Sequence, residues 1–109
     1  MKTYIIVNTS FSAIHAWPDC PYGEVAYLKL PHRHVFHLTL KKEVKHHDRE
    51  IEFIRLKNQI NDRIHGFWES KDIGPKSCEM IAKEFLHLFV VDYVRVMEDN
   101  ENGAEIWRE

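Results

Sequence analysis

The stretch from Pro31 to Val44 constrains this chain most, because its polar and apolar residues alternate with the two-residue period of a half-buried strand. His32, His34, Phe36, Leu38 and Leu40 share one face, while Val35, His37, Thr39 and Lys41 share the other. A one-residue slip would turn every apolar side chain to the wrong face, so this strand needs a core beneath its apolar face. Two histidines at its start lie on the same face as its apolar residues.

The flanking segments supply the partners. Lys2 to Trp17 carries β-branched and aromatic residues in partial alternation and is predicted as a strand. Pro18-Asp19-Cys20-Pro21-Tyr22-Gly23 breaks it into a loop. After a polar turn at Lys45–Asp48, Glu50–Phe53 reads as a short returning strand, and Phe53 to Ile64 as a helix, with Ile54, Ile60 and Ile64 at helical spacing. Gly66 to Lys76 reads as a loop. Ser77 then caps a second helix running to about Phe89, with Met80, Ile81, Phe85, Leu88 and Phe89 as its apolar stripe and Glu79 suiting the helix dipole. Val90 to Asp99 alternates again, Asn102-Gly103 is a hairpin signal, and Ala104 to Trp107 closes the hairpin. Strands grouped around a helical block predict an α+β fold with an antiparallel sheet, not parallel βαβ units.

Length and composition narrow the function. At 109 residues the chain has room for one domain, 1–109. Fifteen basic against 17 acidic residues give a net charge of -2, which argues against a nucleic-acid surface. No apolar run reaches a membrane span, and MKTYIIVNTS turns polar too soon for a signal peptide. Cys20 and Cys78 are too few for a disulfide framework, so free thiols in the cytoplasm are the expectation.

Histidine is the anomaly, with eight in the chain. Residues two apart on a strand project from one face, so His32 and His34 can offer two imidazoles to one metal ion, and His15 at the end of the first strand is placed to be the third. Three neutral nitrogens with an open fourth position describe a catalytic zinc site. With histidine this frequent, chance alone also produces such pairs. His46, His47 and His87 read as solvated turn and helix-surface residues, and His37 lies on the opposite face from the pair.

The residues around the histidines form an ordered series. Phe11-Ser12-Ala13-Ile14-His15, Pro31-His32-Arg33-His34-Val35-Phe36, Glu50 to Lys57, Ser77-Cys78-Glu79-Met80-Ile81-Ala82 and Val94-Arg95-Val96-Met97-Glu98 follow one another in the chain. The series resembles the 6-pyruvoyl-tetrahydropterin synthase and 6-carboxytetrahydropterin synthase family over about residues 4 to 107. No single piece is specific; five in the right order are.

The resemblance implies a T-fold, a four-stranded antiparallel sheet with two helices on one face in the order ββααββ. It implies zinc on His15, His32 and His34, and a lyase acting on 7,8-dihydroneopterin triphosphate in a 7-deazaguanine (queuosine) or tetrahydrobiopterin pathway. The metal would polarise the substrate's side-chain hydroxyls. Glu98 matches the glutamate that grips the pterin ring, where a carboxylate accepts two parallel hydrogen bonds. Ser77 and Glu79 match the helix start that lies near the pterin. The resemblance also implies a homo-oligomer, a trimer or a hexamer of paired trimers with sheets joined into a barrel, with Glu98 meeting a neighbour's zinc site.

The catalytic pattern departs from the family. Ala26 and Leu28 stand where its cysteine falls, and Cys20 lies farther upstream, in a loop long enough to fold back over the zinc. His65 matches the histidine of the family's Asp-His dyad, but Ile64 takes the aspartate's place, with Asp62 one helical turn away as the substitute. Arg33 replaces a glycine between the zinc histidines, to clash or to bind a phosphate. Three functions follow for comparison: a zinc-dependent lyase with Cys20 as thiolate base and His65 as proton relay, a zinc-holding pterin or purine binder without the lyase chemistry, and an oligomeric scaffold with structural histidines.

Overall fold

Two 13-residue strands, β1 (Thr3–His15) and β2 (His32–Val44), pair antiparallel along their whole length, from Thr3 opposite Val44 to His15 opposite His32. At about 3.3 Å per residue each spans roughly 43 Å, which accounts for most of the molecule's 52 Å length. β3 (Tyr93–Glu98) adds to the other edge of β2, and β4 (Asn102–Trp107) follows it as a hairpin, giving a sheet in the order β1-β2-β3-β4. The computed structural model describes residues 1–109. A 3-10 segment, Gly23–Lys29, lies in the β1–β2 connection. Helices α1 (Phe53–Phe67) and α2 (Cys78–Leu88) come between β2 and β3, so the order is ββααββ.

Both helices cover one face. Val7, Phe11, Ala13, Phe36, Leu38, Leu40, Val94 and Val96 point toward them and meet Ile60 and Ile64 of α1 and Ile81, Ala82, Phe85 and Leu86 of α2 in one buried cluster. Aromatic rings fill its centre: Phe11 stacks on Phe36 at 5.2 Å, and Phe85 packs edge-on to Trp68 at 4.6 Å. Such pairs add about 0.5–1.5 kcal/mol beyond the area they bury. No helix is long and apolar enough to cross a membrane.

Three local expectations are corrected. Glu50–Phe53 is not a strand: the Glu50 carboxylate accepts the Lys45 and His46 amides, and the Glu52 carboxylate caps α1 by accepting the amides of Ile54 and Arg55. Ile54 is 59% exposed, and Leu56 packs on the core with Ile60 and Ile64 in its stead. The β3–β4 turn falls earlier than Asn102-Gly103, at Asp99 and Asn100, whose φ angles of 53° and 58° are the left-handed values that Asp and Asn tolerate. Asn102 and Gly103 are already in β4, opposite Glu98 and Met97. Gly103 is required by proximity: a Cβ there would run into the Val96 carbonyl oxygen and the Met97 Cα.

Candidate metal centre

The strand register builds the site. His15 faces His32 directly, His34 lies opposite Ala13, and Phe36 lies opposite Glu98. Alternation then brings all three imidazoles and the Glu98 carboxylate to the helix-covered face, at the end of the sheet beyond the core. The rings pair edge-on, with centroids 4.5 Å apart for His15 and His32, 5.0 Å for His32 and His34, and 5.3 Å for His15 and His34. One nitrogen from each ring lies within 4.8 Å of the other two.

Each ring is held by its other nitrogen. His15 Nδ1 lies 2.8 Å from the Lys76 carbonyl oxygen, and His32 Nδ1 lies 2.8 Å from that of Leu30. His34 Nδ1 lies 2.7 Å from Asp99 Oδ2. These oxygens only accept, so Nδ1 is the donor in each of these hydrogen bonds, and Nε2 of each ring is turned toward the common centre. Metal-binding histidines are oriented in this way, by a carbonyl or carboxylate on the far nitrogen. His15 Nε2 is buried and has no hydrogen-bond partner. A buried polar atom is seldom left so. An ion with affinity for imidazole would satisfy it, and zinc fits the donor set.

Local sequence explains the supports. Residues 70–74 run along the free edge of β1, with Ser70 and Ile73 donating to the Ser12 and Ile14 carbonyls and Ile14 and Ala16 donating to those of Lys71 and Gly74. Asp72 accepts the Gly74 amide, and Gly74 adopts a φ of 69° before Pro75. This turn carries the Lys76 carbonyl to His15. Asp99 reaches back from the hairpin turn to β2, and its carboxyl is held below the usual range by the His34 ring N–H first and the Val35 amide second.

Glu98 lies beside the histidines of its own chain: Oε2 is 3.2 Å from His34 Nε2, and Oε1 is 3.7 Å from His15 Nε2. The Cys78 thiol donates to Glu98 Oε1 at 3.6 Å. Burial and then the Glu98 charge push that thiol up to about 12, so it keeps its proton at neutral pH. Beside the triad opens a cavity of about 540 Å³, walled by Trp17, Leu28 and Met80 and edged by Ser77, Glu79 and Glu98.

The structure thus brings together His15, His32, His34, Glu98, Ser77 and Glu79. Cys20 does not join them: its side chain is buried within its own loop, with the thiol turned to the carbonyls of Tyr22 and Val25. Asp62 and His65 are exposed on α1 and do not line the cavity. Arg33 lies on the other face of the sheet from the histidines, donating to Ser12 Oγ at 3.0 Å. It does not clash and does not line the cavity. Sequence reasoning missed two residues. Cys78 was legible only as a helix-start residue, although its place beside Ser77 and Glu79 was the signal. Asp99 gave only its position after Glu98.

No protein-family model matches the chain, and no curated protein is significantly similar to it. Among solved structures, the crystal structure of an uncharacterized protein, WS1659 from Wolinella succinogenes, superposes with a TM-score of 0.81 at 13% identity, covering 100% of this chain and 99% of that one. At that identity the likeness shows a shared fold. The ββααββ antiparallel topology is consistent with a T-fold.

Proposed function

We propose that this chain is a zinc-dependent lyase of the 6-pyruvoyl- and 6-carboxy-tetrahydropterin synthase kind, acting on 7,8-dihydroneopterin triphosphate. The observation that carries the reading is the convergence of three Nε2 atoms, each ring fixed through Nδ1, beside a cavity with carboxylates at its edge. The ordered motif series supports it independently. His15, His32 and His34 would hold the metal, which would polarise substrate hydroxyls and ease proton removal at neighbouring carbons. Trp17, Leu28 and Met80 offer apolar walls to a flat ring, and Glu79 or Glu98 can accept paired N–H donors from it. Cys78 is the thiol at the cavity and donates a hydrogen bond to Glu98 there.

A second reading is a zinc-holding pterin or purine binder without lyase activity. The positions of Cys20, Asp62 and His65 away from the cavity favour it. The quaternary proposal is a trimer or hexamer of this chain. Its support is the sheet face turned from the helices, where Ile6 and Trp107 are about half exposed. Incubation with dihydroneopterin triphosphate, with and without zinc, decides between the two readings. A zinc-dependent 6-pyruvoyl or 6-carboxy product supports the lyase, and tight pterin binding without turnover supports the binder.

A further inference from the structure

Three histidines leave a four-coordinate metal one donor short, and the residue nearest to filling that place is Glu98. Donors about 2.0–2.2 Å from a tetrahedral ion lie about 3.3–3.6 Å from one another. The Glu98 carboxylate comes close to that spacing through a different oxygen in each case, Oε2 at 3.2 Å from His34 Nε2 and Oε1 at 3.7 Å from His15 Nε2, so either oxygen is near the place of the fourth donor. These are the nitrogens left free by the Nδ1 hydrogen bonds, so the carboxylate is aimed at the metal-facing atoms. Two features hold it there. Glu98 ends β3 in fixed register opposite Phe36, and the Cys78 thiol donates to Oε1 from the first turn of α2.

We propose that Glu98 is the fourth ligand of the metal in the resting protein, giving a shell of three imidazole nitrogens and one carboxylate oxygen. The inference rests on the triad reading above and deepens it: the site is closed at rest, and an oxygen of the substrate reaches the metal only by displacing the carboxylate. Glu98 is then free to accept hydrogen bonds within the cavity, so one residue serves both states.

Cobalt(II) is the probe, since its visible absorption reports donor number and geometry, and competition with a chelator gives its affinity. Wild type, Glu98→Gln, Glu98→Ala and His15→Ala are compared. Glu98→Gln is expected to bind cobalt at least about tenfold more weakly with an altered spectrum, since even partners outside the coordination shell are worth 10–100-fold. Acetate is expected to restore the wild-type spectrum to Glu98→Ala by filling the vacated position. Unchanged affinity and spectrum in Glu98→Gln, with His15→Ala still losing the ion, overturns the assignment and leaves the triad standing. Weakened binding in Glu98→Ala with no response to acetate also overturns it, as a structural effect. Cobalt retained in His15→Ala overturns the triad itself, and the assignment with it.

Discussion

His15 and His32 stand directly opposite each other across the β1–β2 ladder, with ring centroids 4.5 Å apart and each Nδ1 2.8 Å from a backbone carbonyl oxygen. Neither carbonyl belongs to a regular strand or helix. One comes from Leu30, just before β2, and the other from Lys76, just before α2. Segments without secondary structure of their own thus set the orientation of two strand histidines, and through it the direction in which each Nε2 points.

Asp99 has the same task for His34, so its removal should weaken the metal without touching a ligand. Asp99→Ala is expected to lower zinc affinity by about 10–100-fold while leaving bound stoichiometry at saturation unchanged. Chelator competition measures the first and elemental analysis the second. An unchanged affinity would show that the Asp99 hydrogen bond does not orient the ring.

Gly103 supports the hairpin that carries Glu98. Gly103→Ala drives a Cβ into the backbone of Val96 and Met97 and is expected to cost about 1–3 kcal/mol, the usual range for forced overpacking. Gly66→Ala is the control: nothing lies within 4 Å of its added Cβ, and in a helix the change should stabilise by up to about 1 kcal/mol. Denaturant midpoints of the two variants should move in opposite directions.

Tyr93 gives the fold an alkaline limit. Burial, and next the hydrogen bond to Glu105, push its phenol up to about 12 from an ordinary 10. The folded state favours the protonated phenol, so this contribution is fully present below pH 10 and is lost as pH rises from 10 through about 12. Denaturation series across that window should show wild-type stability falling more steeply than that of Tyr93→Phe, and the variant should lack the latest tyrosinate absorbance step. Parallel slopes would contradict the assignment.

Much of this was legible in the sequence, for a physical reason. Alternation in Pro31–Val44 places His32 and His34 on the core face whatever their partners are, and Ser77 caps α2 as its type and place foretell, accepting the Met80 amide. The illegible parts are those that depend on where a side chain turns. Glu52 looked like strand and is a cap, because its carboxylate folds back on the first amides of α1. Asn102-Gly103 carries a turn signal, yet the turn sits at Asp99 and Asn100, and close backbone approach claims the glycine. Cys20 had a loop long enough to reach the histidines, but its thiol turns inward to its own loop's carbonyls. Loop length bounds reach and does not set direction.

The central claim is that His15, His32 and His34 together hold one metal ion, and zinc content tests it most directly. Protein dialysed against zinc and then against metal-free buffer should retain about one zinc per chain by elemental analysis. His32→Ala should lose most of it, and the His15→Ala, His32→Ala, His34→Ala triple variant all of it. A wild-type protein that retains no zinc, or a triple variant that retains it fully, would contradict the account.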